Sequence, residues 1–228
     1  MKGAKASTGA AAPPSSRLDN ANVQLGMELF LIKNSLDIYR VIGRNVKAIK
    51  AGEVFFAHAQ NQSLGAVALG LARVFERDDT HELCSIQGVY RLATQVPVRD
   101  SRAVGRFVGK YGTIGASQGW VRDVDLVFSR QRPRIQRHLK QIRTVRNTRL
   151  AHIQQNAPSG TLPSIADFED LLGFAVDFHS FVNEAFLSTH SHPILHDRRV
   201  EQSLLHLLEK IGVDNPVSGF DVVTTARG

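Results

Sequence analysis

Residues 133–153 read PRIQRHLKQIRTVRNTRLAHI, and this stretch combines the periodicity of an amphipathic helix with charges on its apolar side. At 3.6 residues per turn, six apolar side chains form one broad stripe: Ile135, Leu139, Ile142, Val145, Leu150 and Ile153. Arg146 and Arg149 fall within that stripe, and His152 lies at its edge. Because a guanidinium stays protonated, each of these arginines needs a carboxylate, a phosphate or water beside it. The stretch therefore predicts a polar site within a helix-packing face.

The same part of the chain carries the excess positive charge. No Asp or Glu occurs between Leu126 and Ala166, whereas eight basic residues do: Arg130, Arg132, Arg134, Arg137, Lys140, Arg143, Arg146 and Arg149. The other 20 of the 28 basic residues are outnumbered by the 21 acidic residues, so the net charge of +7 resides in this segment. Such a stripe predicts a phosphate-rich partner such as RNA or DNA. The alternative, for the outward Arg137, Lys140 and Arg143, is a solvated basic face balanced by nearby acidic helices.

Apolar residues at three- and four-residue spacing predict helices over most of the remaining chain. These helices cover residues 19–50, 53–77, 85–94, 164–186 and 197–211, in addition to the basic helix, which is expected to run to about Gln155. Glycines at positions 52, 65 and 70 suggest breaks in the second of them. No segment before residue 213 has the pattern of a strand, so the predicted fold class is all-α, an up-and-down bundle of four to five main helices.

Three local patterns refine this prediction. Residues 97–119 contain five glycines and predict either a mobile connection or a poorly capped short helix. Residues 120–129 predict a short helix before Pro133, with one kinked continuous helix as the alternative. Ser164 and Asp167 have the spacing of a capping box, which predicts the start of a helix there.

Length and composition favour one folded domain, since 228 residues with 43% hydrophobic content can bury one sizeable core. Residues 1–18 are expected to be disordered, residues 19–212 to form the helical domain, and residues 213–228 to be a tail that is either a strand or loose. The single cysteine, Cys84, excludes an internal disulfide and a multi-cysteine zinc site. Because no secretory signal and no long apolar run occurs, we expect a cytoplasmic protein without membrane contact.

Arg146, Asn147 and His152 form a motif: an Arg, a polar residue directly after it, and a His after five intervening residues. Such a pattern resembles the signature of the HEPN superfamily, which is an Arg, four to six residues, and then a His. The fuller run RNTRLAH over residues 146–152 resembles the abortive-infection, AbiU-like branch of that superfamily. The upstream run ALGLARVFER over residues 68–77, followed by the helix start at Cys84-Ser85-Ile86, resembles the same branch. The resemblance covers about residues 25–190.

This resemblance implies a HEPN-like helical domain that forms a face-to-face homodimer. The implied activity is metal-independent endoribonuclease cleavage in phage defence or in a toxin–antitoxin system, in which a cognate antitoxin protein is a further partner. His152 would be the general acid and base, and Arg146 would clamp the scissile phosphate, with Asn147 or Arg149 positioning it. Further RNA-binding residues are expected along the basic stripe: Arg137, Lys140 and Arg143. No metal and no cofactor are expected.

A non-catalytic interpretation accounts for the same residues. In it, His152 ends a helix, where the macrodipole favours it, and Arg146 pairs with an acidic residue of the bundle. The acidic candidates are Glu76, Asp78 and Asp170. The chain is then a helical module that binds RNA, a nucleotide or a protein through the basic 130–149 helix.

The remaining noteworthy histidines predict structural or solvated side chains. His179 lies on the apolar stripe of the 164–186 helix, and we predict a core histidine there rather than a catalyst. His190, His192 and His196 are close in sequence, as in some metal sites, but Pro193 interrupts them and no cysteine is near. Solvated histidines at a helix end are therefore favoured.

Overall fold

A computed structural model describes residues 12–76, 85–112, 119–145, 163–187, 189 and 194–219. These parts contain seven α-helices and no strand: α1 (Pro14–Asn45), α2 (Glu53–Val74), α3 (Ile86–Ala93), α4 (Ser101–Lys110), α5 (Trp120–Val145), α6 (Ile165–Val182) and α7 (Arg199–Lys210). A π-helical turn, Asn183–Leu187, follows α6, and a short 3₁₀-helix, Ile194–His196, precedes α7. The predicted all-α class is confirmed, with more helices than the four to five expected.

The long helix α1 lies at the centre and contacts α2, α3, α6 and α7. It begins at Pro14 rather than at the predicted Asp19, because proline is well suited to the first position of a helix, where its missing N–H would be unpaired in any case. Leu18, in the segment expected to be disordered, is fully buried. Residues 14–18 therefore belong to the first helix, and residues 1–11 lie outside the described part of the chain.

Helices α1 and α2 run antiparallel and pack closely. Gly52, with a φ of +72°, ends the connection between them, as the predicted break there requires. The predicted breaks at Gly65 and Gly70 are wrong, because α2 is continuous from Glu53 to Val74. A Cβ atom at Gly70 would lie 2.5 Å from Cγ1 of Ile32, so the glycine allows the two helices to approach instead of interrupting one of them.

The glycine-rich segment contains the helix α4, and Pro133 lies inside the helix α5. Asp100 caps α4 by accepting a hydrogen bond from the backbone N–H of Arg102 at 2.8 Å, so this short helix is well capped. Four apolar side chains of α4 are buried in the core: Ala103, Val104, Phe107 and Val108. Their burial offsets the low helix propensity of the two glycines in this helix. Helix α5 passes through the exposed Pro133 without ending, so the alternative of one continuous helix is correct.

The core is rich in phenylalanine. Helix α6 starts at the predicted capping box, in which the side chain of Ser164 accepts from the N–H of Asp167 and Asp167 accepts from the N–H of Ser164. It then contributes a large aromatic set to the core: Phe168, Phe174, Phe178 and Phe181. Phe107 of α4 stacks on Phe181 with ring centroids 4.8 Å apart. This packing fixes the position of α6 against α4 and α5.

The described residues after α7 lie against α1. The amide of Asn45 donates to the carbonyl of Val217 at 2.9 Å and accepts from its N–H at 2.8 Å, and the buried Glu201 accepts from the N–H of Gly219. Residues 213–219, the described part of the predicted 213–228 tail, are therefore neither a strand nor loose, and residues 220–228 lie outside the described part of the chain. Within the described helices, no stretch combines the length and apolarity needed to cross a lipid bilayer.

Candidate nucleic-acid interface

A cleft of about 760 Å³ opens between the end of α2, the start of α3 and the second half of α5. Its floor is apolar and includes Phe75, Phe128, Ile135, Leu139 and Phe174. Its polar lining contains four basic side chains and one acidic one: Arg73, Arg132, Lys140, Arg143 and Glu76. The cleft therefore combines aromatic surface with an excess of positive charge.

Helix α5 supplies most of that charge from a single face. Arg132, Lys140 and Arg143 are spaced eight and three residues apart, which places them within about 80° of one another around the helix. All three are exposed, whereas Ile135 and Ile142 beside them are buried and Leu139 is half-buried. The apolar stripe predicted from the sequence is thus confirmed at these positions, with cations along its edge.

The predicted RNA-binding set divides between two sides of α5. Lys140 and Arg143 line the cleft. Arg137 is exposed on another side, where its charge acts on Asp167 at the start of α6. All three side chains are exposed, as predicted, but Arg137 lies on the side of α5 near Asp167 of α6, whereas Lys140 and Arg143 lie on the cleft side.

Two carboxylates of α6 neutralise the side of α5 that faces them. Nδ1 of the buried His138 lies 2.9 Å from Oδ1 of Asp167, and its Nε2 lies 3.3 Å from Oδ2 of Asp170. Asp170 also pairs with Arg134 at 3.1 Å. His138 could not be predicted from the sequence as a contact residue, because its partners lie about thirty residues away and are brought to it only by the packing of α6 against α5. We call His138, Arg134, Asp167 and Asp170 the α5–α6 clamp.

The carboxyl of Asp167 is held in its charged form by its neighbours. Burial acts to raise its pKa, but two hydrogen bonds from Ser164 and the charges of His138 and Arg137 together outweigh burial and lower it. Asp167 thereby joins the helix cap to the α5–α6 clamp.

The basic side chains of the cleft have fewer acidic partners than those of the α5–α6 clamp. Arg73 pairs with Glu28 at 3.0 Å. Among the described residues, no carboxylate lies within 4.0 Å of a nitrogen of Arg132 or Arg143. The alternative of a basic face balanced by acidic helices therefore describes Arg134 on the clamp side and Arg73 at the cleft, and among the described residues it does not describe Arg132 or Arg143.

A protein-family model for AbiU2, one of the HEPN families, matches residues 17–203. This range includes most of the described helices as well as the Arg146 to His152 motif. The chain belongs to the AbiU2 family. The resemblance inferred from the sequence is thereby confirmed and extends beyond the predicted range of 25–190. Comparisons with curated proteins and with solved structures gave no match.

The motif predicted from the sequence starts where the described part of α5 ends. The helix is described to Val145, and Arg146 is the next residue. Arg146, Asn147, Arg149 and His152 lie outside the described residues, as does the predicted extension of α5 to Gln155. Arg143, in the cleft of this AbiU2-family protein, stands three positions before Arg146.

Two of the acidic partners suggested for Arg146 now have a place. Asp170 already contacts Arg134 and His138 in the clamp, whereas Glu76 lines the cleft. Asp78 lies outside the described residues. Glu76 is therefore the acidic candidate that the cleft itself contains.

His179 is a core histidine, as predicted. Its ring is buried against Gly26, whose Cβ, if present, would lie 2.6 Å from Nε2. Burial lowers the pKa of His179 to about 4, and a hydrogen bond with the backbone of Asn22 acts in the opposite direction without outweighing it. At neutral pH the ring is uncharged and away from the cleft, which does not suit a proton-transfer group.

The described residues contain no group of three His, Cys, Asp or Glu side chains arranged to hold a metal ion. Of the three clustered histidines, His196 is described, and it is exposed in the 3₁₀-helix. His190 and His192 lie outside the described part, and so does Cys84.

Proposed function

We propose that this AbiU2-family protein is a metal-independent endoribonuclease that acts in the cytoplasm during phage defence or within a toxin–antitoxin system. The observation that carries the proposal is the basic, aromatic-floored cleft along α5, whose lining residue Arg143 stands three positions before Arg146 in the sequence. Such a cleft suits RNA, because the cations attract its phosphates and the aromatic floor can stack with its bases. A cognate antitoxin protein would restrain the enzyme until infection.

The reaction proposed is transfer of the phosphodiester to the neighbouring ribose oxygen. The 2′-oxygen attacks phosphorus as its proton passes to a base, and the bond from phosphorus to the 5′-oxygen breaks as that oxygen receives a proton from an acid. The products are a 2′,3′-cyclic phosphate and a 5′-hydroxyl. No redox step is involved, and the charge that develops on the phosphorane needs a fixed cation.

The sequence motif supplies groups for each of these tasks. His152 would move the protons, because an imidazole titrates near neutral pH. Arg146 would hold two phosphate oxygens with its planar fork, and Asn147 or Arg149 would orient the phosphate. Lys140 and Arg143 in the cleft would bind neighbouring phosphates, and Arg137, on the clamp side, would add to long-range attraction of RNA.

A homodimer would complete this chemistry. One motif offers one titrating histidine, whereas the reaction requires both a base and an acid. A two-fold arrangement with α5 in the interface would bring a second copy of His152 to the same phosphate. Light scattering should therefore show a dimer at micromolar concentration, and a monomer there would contradict the shared site.

The test is incubation of the purified protein with RNA in the presence of EDTA. We expect cleavage to persist with chelator and the products to carry 2′,3′-cyclic phosphate and 5′-hydroxyl ends. His152→Ala should abolish cleavage, whereas His206→Ala, a change of the same type at an exposed position of α7, should leave it unchanged. Activity that is lost with EDTA and restored by magnesium or manganese would refute the proposal.

A non-catalytic binding module is the second candidate. It is favoured by the described lining of the cleft, whose floor is aromatic and whose basic side chains, Arg73, Arg132, Lys140 and Arg143, all precede Arg146 in the sequence. Such a module would bind RNA, a nucleotide or a protein through the 130–149 segment without cutting it. Tight RNA binding with no cleavage under any metal condition, unaffected by His152→Ala, would select this candidate.

A further inference from the structure

The floor of the cleft offers aromatic surface to a ligand. Phe75 and Phe128 are half-buried, and each packs against the fully buried Phe174, with ring centroids 6.3 Å and 6.0 Å away. Their remaining exposed surface lines the cleft together with Leu139 and Leu69, which is 43% exposed. A flat apolar ligand could stack there on side chains that the core already holds in place.

The polar lining of the cleft suits the other parts of a nucleotide. Arg132 and Arg143 are eleven residues apart on one helix face, which corresponds to about 16 Å along the axis, so the rim is long enough for more than one phosphate. Gln87 and Gln136 line the cleft as well, and a carboxamide can both donate to and accept from the edge of a base. A volume of about 760 Å³ is in the range of sites that enclose small molecules.

We infer that this cleft binds an unpaired base of single-stranded RNA, with the base on the aromatic floor and the adjoining phosphates along Arg132, Lys140 and Arg143. The inference rests on the proposed function and adds a preference to it. A base within a duplex is stacked and paired, so it cannot enter the cleft, whereas a base in a loop or a single strand can. The enzyme would therefore select single-stranded segments of its RNA substrate.

The experiment measures binding separately from cleavage. A short fluorescein-labelled 2′-O-methyl RNA, which has no free 2′-hydroxyl for self-attack, is titrated with the full-length protein by fluorescence anisotropy, alone and annealed to its complement. Wild-type protein should bind the single strand more tightly. Ala72→Phe places a ring in the cleft without changing any charge. It should lower single-strand affinity by about fivefold or more, which starts at the low end of the loss expected for one stacked base, and leave duplex affinity unchanged.

Matched variants separate stacking from folding and from charge. Ala66→Phe is the same change at an exposed position of α2 outside the cleft, and it should bind as wild type does. If Ala72→Phe does not unfold cooperatively, Leu69→Glu replaces it, because a carboxylate at the exposed edge of the cleft should also weaken single-strand binding. Arg143→Ala should weaken single strand and duplex alike.

Several results would overturn the inference: equal affinity for single strand and duplex, or wild-type single-strand binding by both Ala72→Phe and Leu69→Glu. A polyglutamate peptide serves as the probe for an acidic protein partner. If wild-type protein binds this peptide, and Ala72→Phe loses peptide binding but still binds RNA, then the cleft binds an acidic protein segment and the inference is overturned. Stacking-dependent binding without cleavage would refute the proposed function alone. Cleavage of natural RNA that is unaffected by Ala72→Phe would refute the inference alone.

Discussion

His179 should make the stability of the fold depend on pH in a defined window. The ring is 7% exposed, and burial lowers its pKa from the ordinary 6.5 to about 4. Between pH 4 and 6.5, the unfolded chain therefore binds a proton at His179 that the folded protein does not bind. The free energy of unfolding consequently falls as the pH falls through this window, and the full contribution of the neutral ring is present above pH 6.5.

The size of the effect follows from the shift. A difference of 2.5 pH units at about 1.36 kcal/mol per unit corresponds to a loss of about 3 kcal/mol between the two ends of the window. This is a large part of the total stability of an ordinary domain. The buried Asp37, whose pKa is raised by burial, adds its own pH dependence, so the contribution of His179 must be isolated by comparing variants.

Urea unfolding followed by Trp120 fluorescence, at a series of pH values from neutral to acid, measures this term. Trp120 suits the purpose because it is the single tryptophan and packs on Phe186 with ring centroids 4.9 Å apart. His179→Gln should lower stability at neutral pH but remove about 3 kcal/mol of the acid loss. His206→Gln, at an exposed position, should keep the wild-type slope. Equal slopes in wild type and His179→Gln would refute the reasoning.

Three further predictions concern packing, catalysis and binding. Gly70→Ala should destabilise the fold by about 1 kcal/mol or more, because its Cβ would overlap Ile32. Gly105→Ala, whose Cβ would have no atom within 4 Å, should stabilise the fold by about 0.5–1 kcal/mol. Urea denaturation should therefore show changes of opposite sign, and changes of the same sign would contradict the close approach of α1 and α2. Arg146→Lys and His152→Ala should each cost about 3 kcal/mol or more of transition-state stabilisation in a cleavage assay, with circular dichroism unchanged; melting temperatures that fall in step with activity would make both residues structural. Arg143→Ala should reduce the slope of log affinity against log salt for single-stranded RNA by about 0.7, and an unchanged slope would remove this residue from the interface.

The regular parts of the fold could be predicted from local patterns. The apolar spacing of α1, α2 and α6 and the capping box at Ser164 are encoded within a few residues, and the structure contains all of them. Glycine was misjudged because its effect depends on its neighbours. Gly70 stands where α1 approaches, and Gly105 faces open space, so neither breaks its helix although both lower its local propensity.

The basic character of the site could be predicted from the sequence, but not which side of α5 faces the carboxylates of α6. Eight basic residues between positions 130 and 149, with no acidic residue among them, indicated from the sequence that this segment carries the positive field. Which of its cations remain available depends on where Asp167 and Asp170 are placed by α6, and no local pattern contains that information. Arg134 and His138 are four residues apart, and Asp167 and Asp170 are three apart, so each pair shares one face of its helix. That these two faces contact each other is known only from the packing of α6 against α5.

The docking of residues 213–219 on α1 has a practical consequence for anyone who trims or tags this protein. The family match ends at residue 203, yet Leu208 and Val213 complete a small apolar cluster with Val41, Ile42, Ile49 and Phe56. A shortened chain that stopped at the family boundary would expose that cluster and leave the buried amide of Asn45 without its partner in the final segment. Such a product would be prone to aggregate during expression. A purification handle or a fused reporter should accordingly be joined beyond Gly219.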